Sequence, residues 1–67
     1  MNVPIARVAL DVPLSRGFDY LAPDASAEDV GRRVCVPFGR GEKIGIILEV
    51  LAASDLPPEK LKPVRVI

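Results

Sequence analysis

The sequence predicts an all-β fold, a small barrel-like antiparallel unit of about five strands with one or two short helical turns. Several short runs alternate apolar with other residues at a period of two, which is the spacing of a β-strand. Glycine and proline separate these runs, as they do at turns. The chain shows almost no helical periodicity, and closure into a barrel would remove the exposed edges of an open sheet.

Residues 34–50 form the stretch around which the rest of the chain is organised. They predict two strands joined by a polar loop at 39–43, where Gly39 and Gly41 supply the positive φ that a hairpin loop needs. The second of these strands is apolar on both faces for much of its length. We therefore expect it to lie between other layers and not at a solvent-exposed edge.

The other elements follow from the same signals. Pro4 and Pro13 bound the first strand and suit an edge or terminal position, where a missing N–H is harmless. Ser26 is expected to cap a single helical turn, with Asp29 completing an imperfect capping box. The expected strands cover residues 3–12, 18–21, 34–38, 44–50 and 62–67, and the expected helical turns fall within 25–29 and 56–61.

Composition limits the kinds of chemistry. Nine basic and nine acidic residues give no net charge, so any attraction for nucleic acid must be local. A single cysteine allows no internal disulfide, and without histidine there is no His-based catalysis and no Cys/His zinc site. The sequence shows neither a long apolar run nor a signal-peptide pattern, so we expect a cytoplasmic protein.

Catalysis within this chain is not expected. It would need a nucleophile with its base, a pair of carboxylates or a metal cluster. Asp19 and Tyr20 are adjacent in a predicted strand, so their side chains point to opposite faces. The glycines at 39 and 41 are interpreted as a hairpin turn, because no helix follows them to complete a phosphate site.

Binding fits the residues better. The candidates are Phe18, Asp19, Gly39 and Lys62, with Arg40 and Arg32 as weaker phosphate contacts. The aromatic ring could stack on a base or belong to the core. The carboxylate could accept a hydrogen bond from a sugar hydroxyl or be a solvated strand charge. The glycine could admit a ligand to the backbone or only serve the turn, and the cations could meet phosphate or only solvent. The residues alone leave these alternatives open.

Four blocks of the chain resemble a known family, the N-terminal domain of bacterial primosomal protein N′, the PriA helicase. They cover residues 8–14, 18–21, 33–40 and 44–47, and include F-D-Y-L, V-P-F-G and I-G-I. Each block is weak alone, but their combination and spacing are specific. The resemblance implies that residues 1–67 are one DNA-binding domain, the N-terminal fragment of a longer ATP-dependent 3′-to-5′ DNA helicase. Such a domain recognises the 3′-terminal nucleotide of the nascent leading strand at stalled replication forks, without base selectivity.

The resemblance also implies roles for four residues. Phe18, Asp19, Gly39 and Lys62 would form the 3′-terminus pocket. Asp19 and the backbone near Gly39 would contact the terminal nucleotide and its 3′-hydroxyl, and Lys62 the phosphate on its 5′ side. The full-length family implies ATP, Mg and Zn, but this stretch lacks Walker motifs and zinc cysteines, so no cofactor and no metal are expected in it. The implied partners are a single-stranded DNA 3′ end and, through the full-length protein in the nucleoid, other primosomal proteins and single-strand binding protein.

A different class of function fits the strand pattern too. Residues 34–50 would also suit an SH3-like barrel that acts as a protein-interaction module or as a purely structural unit. An interaction module would bind a partner peptide along an open sheet edge and would not bind oligonucleotides.

Overall fold

Four antiparallel strands form a curled half-barrel in the computed structural model, which describes residues 3–13, 17–54 and 56–67. The strands are β1 (Ile5–Ala9), β2 (Phe18–Leu21), β3 (Arg33–Phe38) and β4 (Gly41–Leu51), and their order in the sheet is β2-β1-β4-β3. Two 3₁₀ turns, Ala27–Asp29 and Pro58–Lys60, lie within the stretches expected to be helical. The all-β prediction is therefore confirmed.

The expected fifth strand at 62–67 is not a regular strand. This segment makes two isolated bridges instead, a parallel one between Pro63 and Leu21 and an antiparallel one between Val66 and Cys35. Proline has no N–H to donate to a ladder, and the hydrogen bonds of the segment are divided between two different strands. A continuous ladder with either strand is therefore not formed, and the prediction was wrong in this respect.

The C-terminal segment, residues 62–67, joins the two outer strands of the sheet. Leu21 of β2 donates its N–H to the Lys62 carbonyl and accepts from Val64, both at 2.9 Å. Cys35 of β3 donates to the Val66 carbonyl at 2.7 Å and accepts from Arg65 at 2.8 Å. The segment thus bridges the opening of the half-barrel and fixes the backbone of Lys62 beside β2.

The central hairpin is tighter than predicted. Phe38 pairs directly with Gly41, so Gly39 and Arg40 alone form the loop and β4 begins at Gly41. Gly39 has φ +60°, which suits the first central position of a type II′ turn. The first strand, β1, is shorter than expected, since it covers Ile5–Ala9 and not residues 3–12.

The two faces of β4 have different surroundings. Ile47 and Gly45 are buried on the inner face. A Cβ added at Gly45 would lie 2.6 Å from the Ala9 carbonyl oxygen, so a side chain does not fit there. Ile44, Ile46 and Leu48 are exposed by 60%, 41% and 47%. The strand is central in the hydrogen-bonding direction, but its outer face meets solvent, so the expectation of a strand enclosed between layers was wrong for that face. The apolar alternation could not show this, because both faces carry isoleucine.

The core lies inside the curl of the sheet. Its buried members share the inward faces of the four strands, with one alanine just after β2: Ala6, Val8, Tyr20, Ala22, Val34, Val36 and Ile47. A register irregularity between Arg7 and Val8 lets β4 keep Ile47 inward while Glu49 faces outward beside Arg7. Of the capping box, the Ser26 N–H donates to Asp29 Oδ2 at 2.9 Å. Within the described ranges, no helix has the length and apolar character needed to cross a membrane.

Candidate nucleic-acid interface

A cleft of about 600 Å³ opens where β2 begins and β3 ends. The four residues predicted to form a binding pocket, Phe18, Asp19, Gly39 and Lys62, all line it. The fold explains this convergence. Phe18 and Asp19 open β2, Gly39 follows the last residue of β3, and the C-terminal segment brings Lys62 to the edge of β2. The cleft is named below the terminal cleft.

Two phenylalanines form part of the wall. The rings of Phe18 and Phe38 meet edge to face at a centroid distance of 5.5 Å and an interplanar angle of 90°. Both residues are half-buried, and Phe18 also packs against the core cluster. The nitrogen of Lys43 lies 5.9 Å from the centre of the Phe38 ring. The structural and the binding interpretations of Phe18 are therefore compatible, since one ring serves the core and lines the cleft.

Asp19 presents a carboxylate held in a fixed orientation. Arg7 Nε donates to Oδ1 at 3.0 Å, Arg7 Nη2 donates to Oδ2 at 3.4 Å, and the Ser54 hydroxyl also donates to Oδ2. Only 11% of the side chain is exposed. The hydrogen bonds from Arg7 lower the pKa of Asp19, burial opposes this, and Ser54 lowers it further. Asp19 is thus a charged acceptor at neutral pH, and Oδ1 retains a lone pair for a ligand donor.

Arg7 is a site residue that sequence reasoning missed. It lies directly opposite Asp19 on β2 and Glu49 on β4, so all three side chains share the outer face of the sheet. Arg7 Nη1 also donates to Glu49 Oε2 at 3.2 Å. Gly17 leaves room for this arrangement, because a Cβ there would lie 2.6 Å from Arg7 Cγ. Strand alternation places Arg7 and Asp19 on outward faces, but only the register shows that they meet.

Tyr20 and Ser54 were also not assigned to the site. The buried Tyr20 hydroxyl donates to the Pro37 carbonyl oxygen at 2.9 Å, which ties the middle of β2 to the end of β3. Burial raises the pKa of Tyr20, so this hydroxyl keeps its proton. The bond fixes Asp19 relative to Gly39. No sequence signal pointed to Ser54, which lies beyond β4 and reaches Asp19 across 35 positions.

Gly39 combines a backbone requirement with an open surface. Its φ of +60° is strained for any other residue, which explains the glycine without reference to a ligand. An added Cβ would meet no atom within 4 Å, so the space beside this residue is open. Lys62 is exposed and lines the same cleft.

The structure separates the two weaker candidates. Arg40 lines a neighbouring groove that shares Gly39 and Lys62 with the terminal cleft. Arg32 lies in a different cleft and forms an ion pair with Asp29 at 3.2 Å. Arg40 is therefore next to the candidate pocket and Arg32 is not. In the part of the chain that the structure describes, no group of three or more acidic or cysteine side chains could hold a metal ion.

Comparisons of the sequence relate this chain to known proteins. Residues 7–67 match the family described as the 3′ DNA-binding domain (3′BD) of PriA. A protein of Haemophilus influenzae named replication restart protein PriA is 47% identical over 60 residues, which is 90% of this chain. Proteins of the same name from Synechocystis and Buchnera aphidicola are 38% and 30% identical over 92% and 91% of it.

The chain spans about 8% of the length of each of these curated relatives. The family match covers nearly all of the chain, and it includes all the residues that line the terminal cleft. The chain belongs to the PriA 3′ DNA-binding domain family.

Proposed function

We propose that this chain is a DNA-binding domain that holds the 3′-terminal nucleotide of a strand in the terminal cleft without reading its base. The observation that supports this most is the meeting of Phe18, Asp19, Gly39 and Lys62 on one cleft. These residues come from three separate stretches of the chain and offer a ring, an acceptor, an accessible backbone and a cation. A terminal nucleotide has a matching base, hydroxyl and phosphate.

Stacking accounts for tolerance of the base. Phe18 lines the cleft and is fixed edge to face by Phe38, so its orientation does not depend on the ligand. Every base has a π-face, and stacking on an aromatic side chain contributes about 1–3 kcal/mol per base. A domain that must find any stalled end gains from contacts of this kind, since they do not depend on sequence.

Asp19 accounts for the preference for an end. A 3′-hydroxyl can donate to its carboxylate, whereas a continuing or terminal phosphate would place a second anion against it. Arg7 and Ser54 already satisfy part of the carboxylate, so the absence of the hydroxyl alone leaves no orphaned acceptor. Discrimination in this proposal therefore comes from charge repulsion more than from an unpaired group.

Lys62 accounts for affinity with little salt dependence. It is the one basic side chain that the sequence assigned to the pocket, and it is exposed beside the cleft. One or two phosphate contacts give a shallow dependence of binding on salt, with a slope of about −0.7 per phosphate for a single strand. We expect roughly micromolar binding by the isolated domain.

In its biological setting, we propose that the domain acts within a replication restart protein that is an ATP-dependent 3′-to-5′ DNA helicase in the cytoplasm. There it would recognise the nascent leading strand at stalled forks, in concert with other primosomal proteins and single-strand binding protein. The relatives named replication restart protein PriA support this setting. The ATP, Mg and Zn of such a protein would bind outside these residues, and the domain itself would catalyse no reaction.

The test compares unlabelled oligonucleotides with a 3′-hydroxyl or a 3′-phosphate as competitors for a fluorescent strand. The wild-type chain is expected to bind the hydroxyl form more tightly. Asp19→Ala is expected to lose this preference while the domain remains folded. Glu49→Ala is the matched control, because it removes the other carboxylate on Arg7 from a position that does not line the cleft.

Equal binding of both ends by the wild-type chain would refute 3′-end recognition. A normal preference in folded Asp19→Ala would remove Asp19 from the pocket. No binding of any oligonucleotide would instead favour a protein-interaction module, for which the exposed outer face of β4 would be the surface to examine.

A further inference from the structure

A second groove continues from the terminal cleft. It has a volume of about 540 Å³ and shares Pro37, Gly39 and Lys62 with that cleft. Its other walls are the turn between β3 and β4 and the C-terminal segment, through Arg40, Gly41, Pro63, Val64 and Arg65. A ligand that enters the terminal cleft can therefore extend past Lys62 into this groove, named here the exit groove.

The charged residues that the structure describes along the exit groove are all basic. Arg40, Lys62 and Arg65 line it, and none of its described lining residues is acidic. The cleft on the far side of the C-terminal segment is also lined by two arginines, but Asp24 and Asp29 balance them there. Of these two clefts, the exit groove therefore offers a polyanion the more favourable potential.

The cations of the exit groove are accessible. Arg40 and Lys62 are exposed, and the ion pair of Arg65 with Glu42 at 3.3 Å is 60% and 52% exposed on its two sides. Such a surface pair is weak and can exchange for a phosphate. A Cβ added at Gly39 or Gly41 would meet nothing within 4 Å, so the turn leaves the floor of the groove open to a sugar-phosphate backbone.

We propose that the exit groove binds the strand upstream of its 3′ end, with Arg40 and Arg65 contacting the second and third phosphates counted from that end. Lys62, which lines both spaces, would take the first phosphate. This inference rests on the proposed function, because the terminal nucleotide defines where the path begins. It extends the site from one nucleotide to about three or four, and it gives the strand one direction across the surface.

The experiment measures competition by unlabelled oligothymidylates with free hydroxyls at both ends: a dinucleotide, a tetranucleotide and a hexanucleotide. Affinity is expected to rise from the dinucleotide to the tetranucleotide and then to level off. The salt slope should steepen from about −0.7 to about −2 over the same step. Arg40→Ala and Arg65→Ala should each weaken tetranucleotide binding by about two- to fivefold and leave dinucleotide binding unchanged.

A chemically modified oligonucleotide tests the same contacts by removing the charge of one phosphate and leaving the protein unchanged. A tetranucleotide with an uncharged methylphosphonate at its second or third linkage should bind the wild-type chain as weakly as the arginine variants bind the normal strand. Combining the variant with the matching methylphosphonate should cause little further loss. Arg32→Ala is the control for charge, and Glu42→Ala is the control for the Arg65 ion pair; neither should weaken binding.

The following outcomes would contradict the proposal that the exit groove binds the strand. Equal affinity for the dinucleotide and tetranucleotide would show that the surface beyond Lys62 does not contact the strand. A gain with length that survives both arginine variants, or that is lost in Arg32→Ala, would place the strand on another path. In either case an intact preference for a 3′-hydroxyl would leave the proposed function standing, whereas its loss in the wild-type chain would remove the proposed function itself.

Discussion

Arg7 sets both the charge and the orientation of the Asp19 carboxylate before a ligand binds. One guanidinium contacts both oxygens of Asp19, and it also contacts Glu49 on the neighbouring strand. A carboxylate held in this way cannot rotate to follow a ligand, so a hydroxyl must arrive in one orientation. At the residue scale the site is therefore preorganised by charge before any nucleotide binds.

The pH dependence of folding tests this pairing. Arg7 lowers the pKa of Asp19 in the folded chain below its usual value of 3.8. The stability that Asp19 contributes is therefore present above that value and is lost as the pH falls through the lower, folded pKa. Asp19→Asn is expected to be less stable than wild type by about 1 kcal/mol near neutral pH. The difference should shrink as the pH falls below about 4.

Chemical denaturation of both proteins from neutral to acid pH measures this difference. A stability gap that stays constant with pH would mean that the carboxylate contributes nothing through its charge. The preference for a 3′-hydroxyl should hold in wild type throughout the range above about pH 5, because Asp19 remains ionised there.

Gly39 and Gly41 form a matched pair for substitution. Gly39→Ala forces a Cβ onto a residue with φ +60°, at a cost of about 1–2 kcal/mol, and directs the methyl group into open space at the cleft. Gly41 does not have a positive φ, and its added Cβ would also meet nothing within 4 Å. We expect Gly39→Ala to lower both stability and dinucleotide binding, and Gly41→Ala to change neither. Thermal melts and competition binding would show it, and equal losses in both variants would contradict it.

At the element scale, two adjacent residues of β4 lie on opposite faces, one in the core and one at the surface. Ile47 is fully buried, whereas Ile46 is 41% exposed. Ile47→Ala should cost about 2–5 kcal/mol, since it removes a side chain packed in the core. Ile46→Ala should cost less than about 1 kcal/mol, since much of its side chain already meets water. Denaturant unfolding of the two variants compares them directly, and similar losses would mean that the outer face of β4 is covered.

The sequence predicted where the strands and turns lie better than it predicted which strand faces are buried. Glycine, proline and strict alternation located β2, β3 and the hairpin, and the Ser26 cap located the first 3₁₀ turn, because these signals are local. The exposed Ile44, Ile46 and Leu48 were not predicted, because periodicity reports which residues share a face and not what covers it. The Arg7 to Asp19 pair and the contact from Ser54 depend on register and long-range closure, which one sequence does not specify.

At the scale of the whole molecule, folding and the candidate site depend on the same closure. The C-terminal segment contributes four backbone hydrogen bonds to the outer strands, two with Leu21 and two with Cys35. The same segment supplies Lys62 and Arg65 to the terminal cleft and the exit groove. The site therefore lies along the seam that completes the fold, and its cations are only in place once the half-barrel has closed.

Deletion of residues 62–67 should therefore destabilise the fold more than removal of the Lys62 charge alone. Each backbone hydrogen bond contributes about 0.5–1.5 kcal/mol, and a chain of this size has about 3–10 kcal/mol of stability in total. A chain truncated to residues 1–61 loses four such bonds and is expected to be largely unfolded by circular dichroism, with its outer strands prone to aggregation.

Lys62→Ala keeps the carbonyl that accepts from Leu21, so it should remain folded and bind a dinucleotide more weakly. Arg33→Ala, an exposed cation away from the cleft, controls for charge. A truncated chain that folds as well as wild type would show that the sheet is stable without its seam, and the loss of Lys62 would then be the only effect of truncation on the terminal cleft.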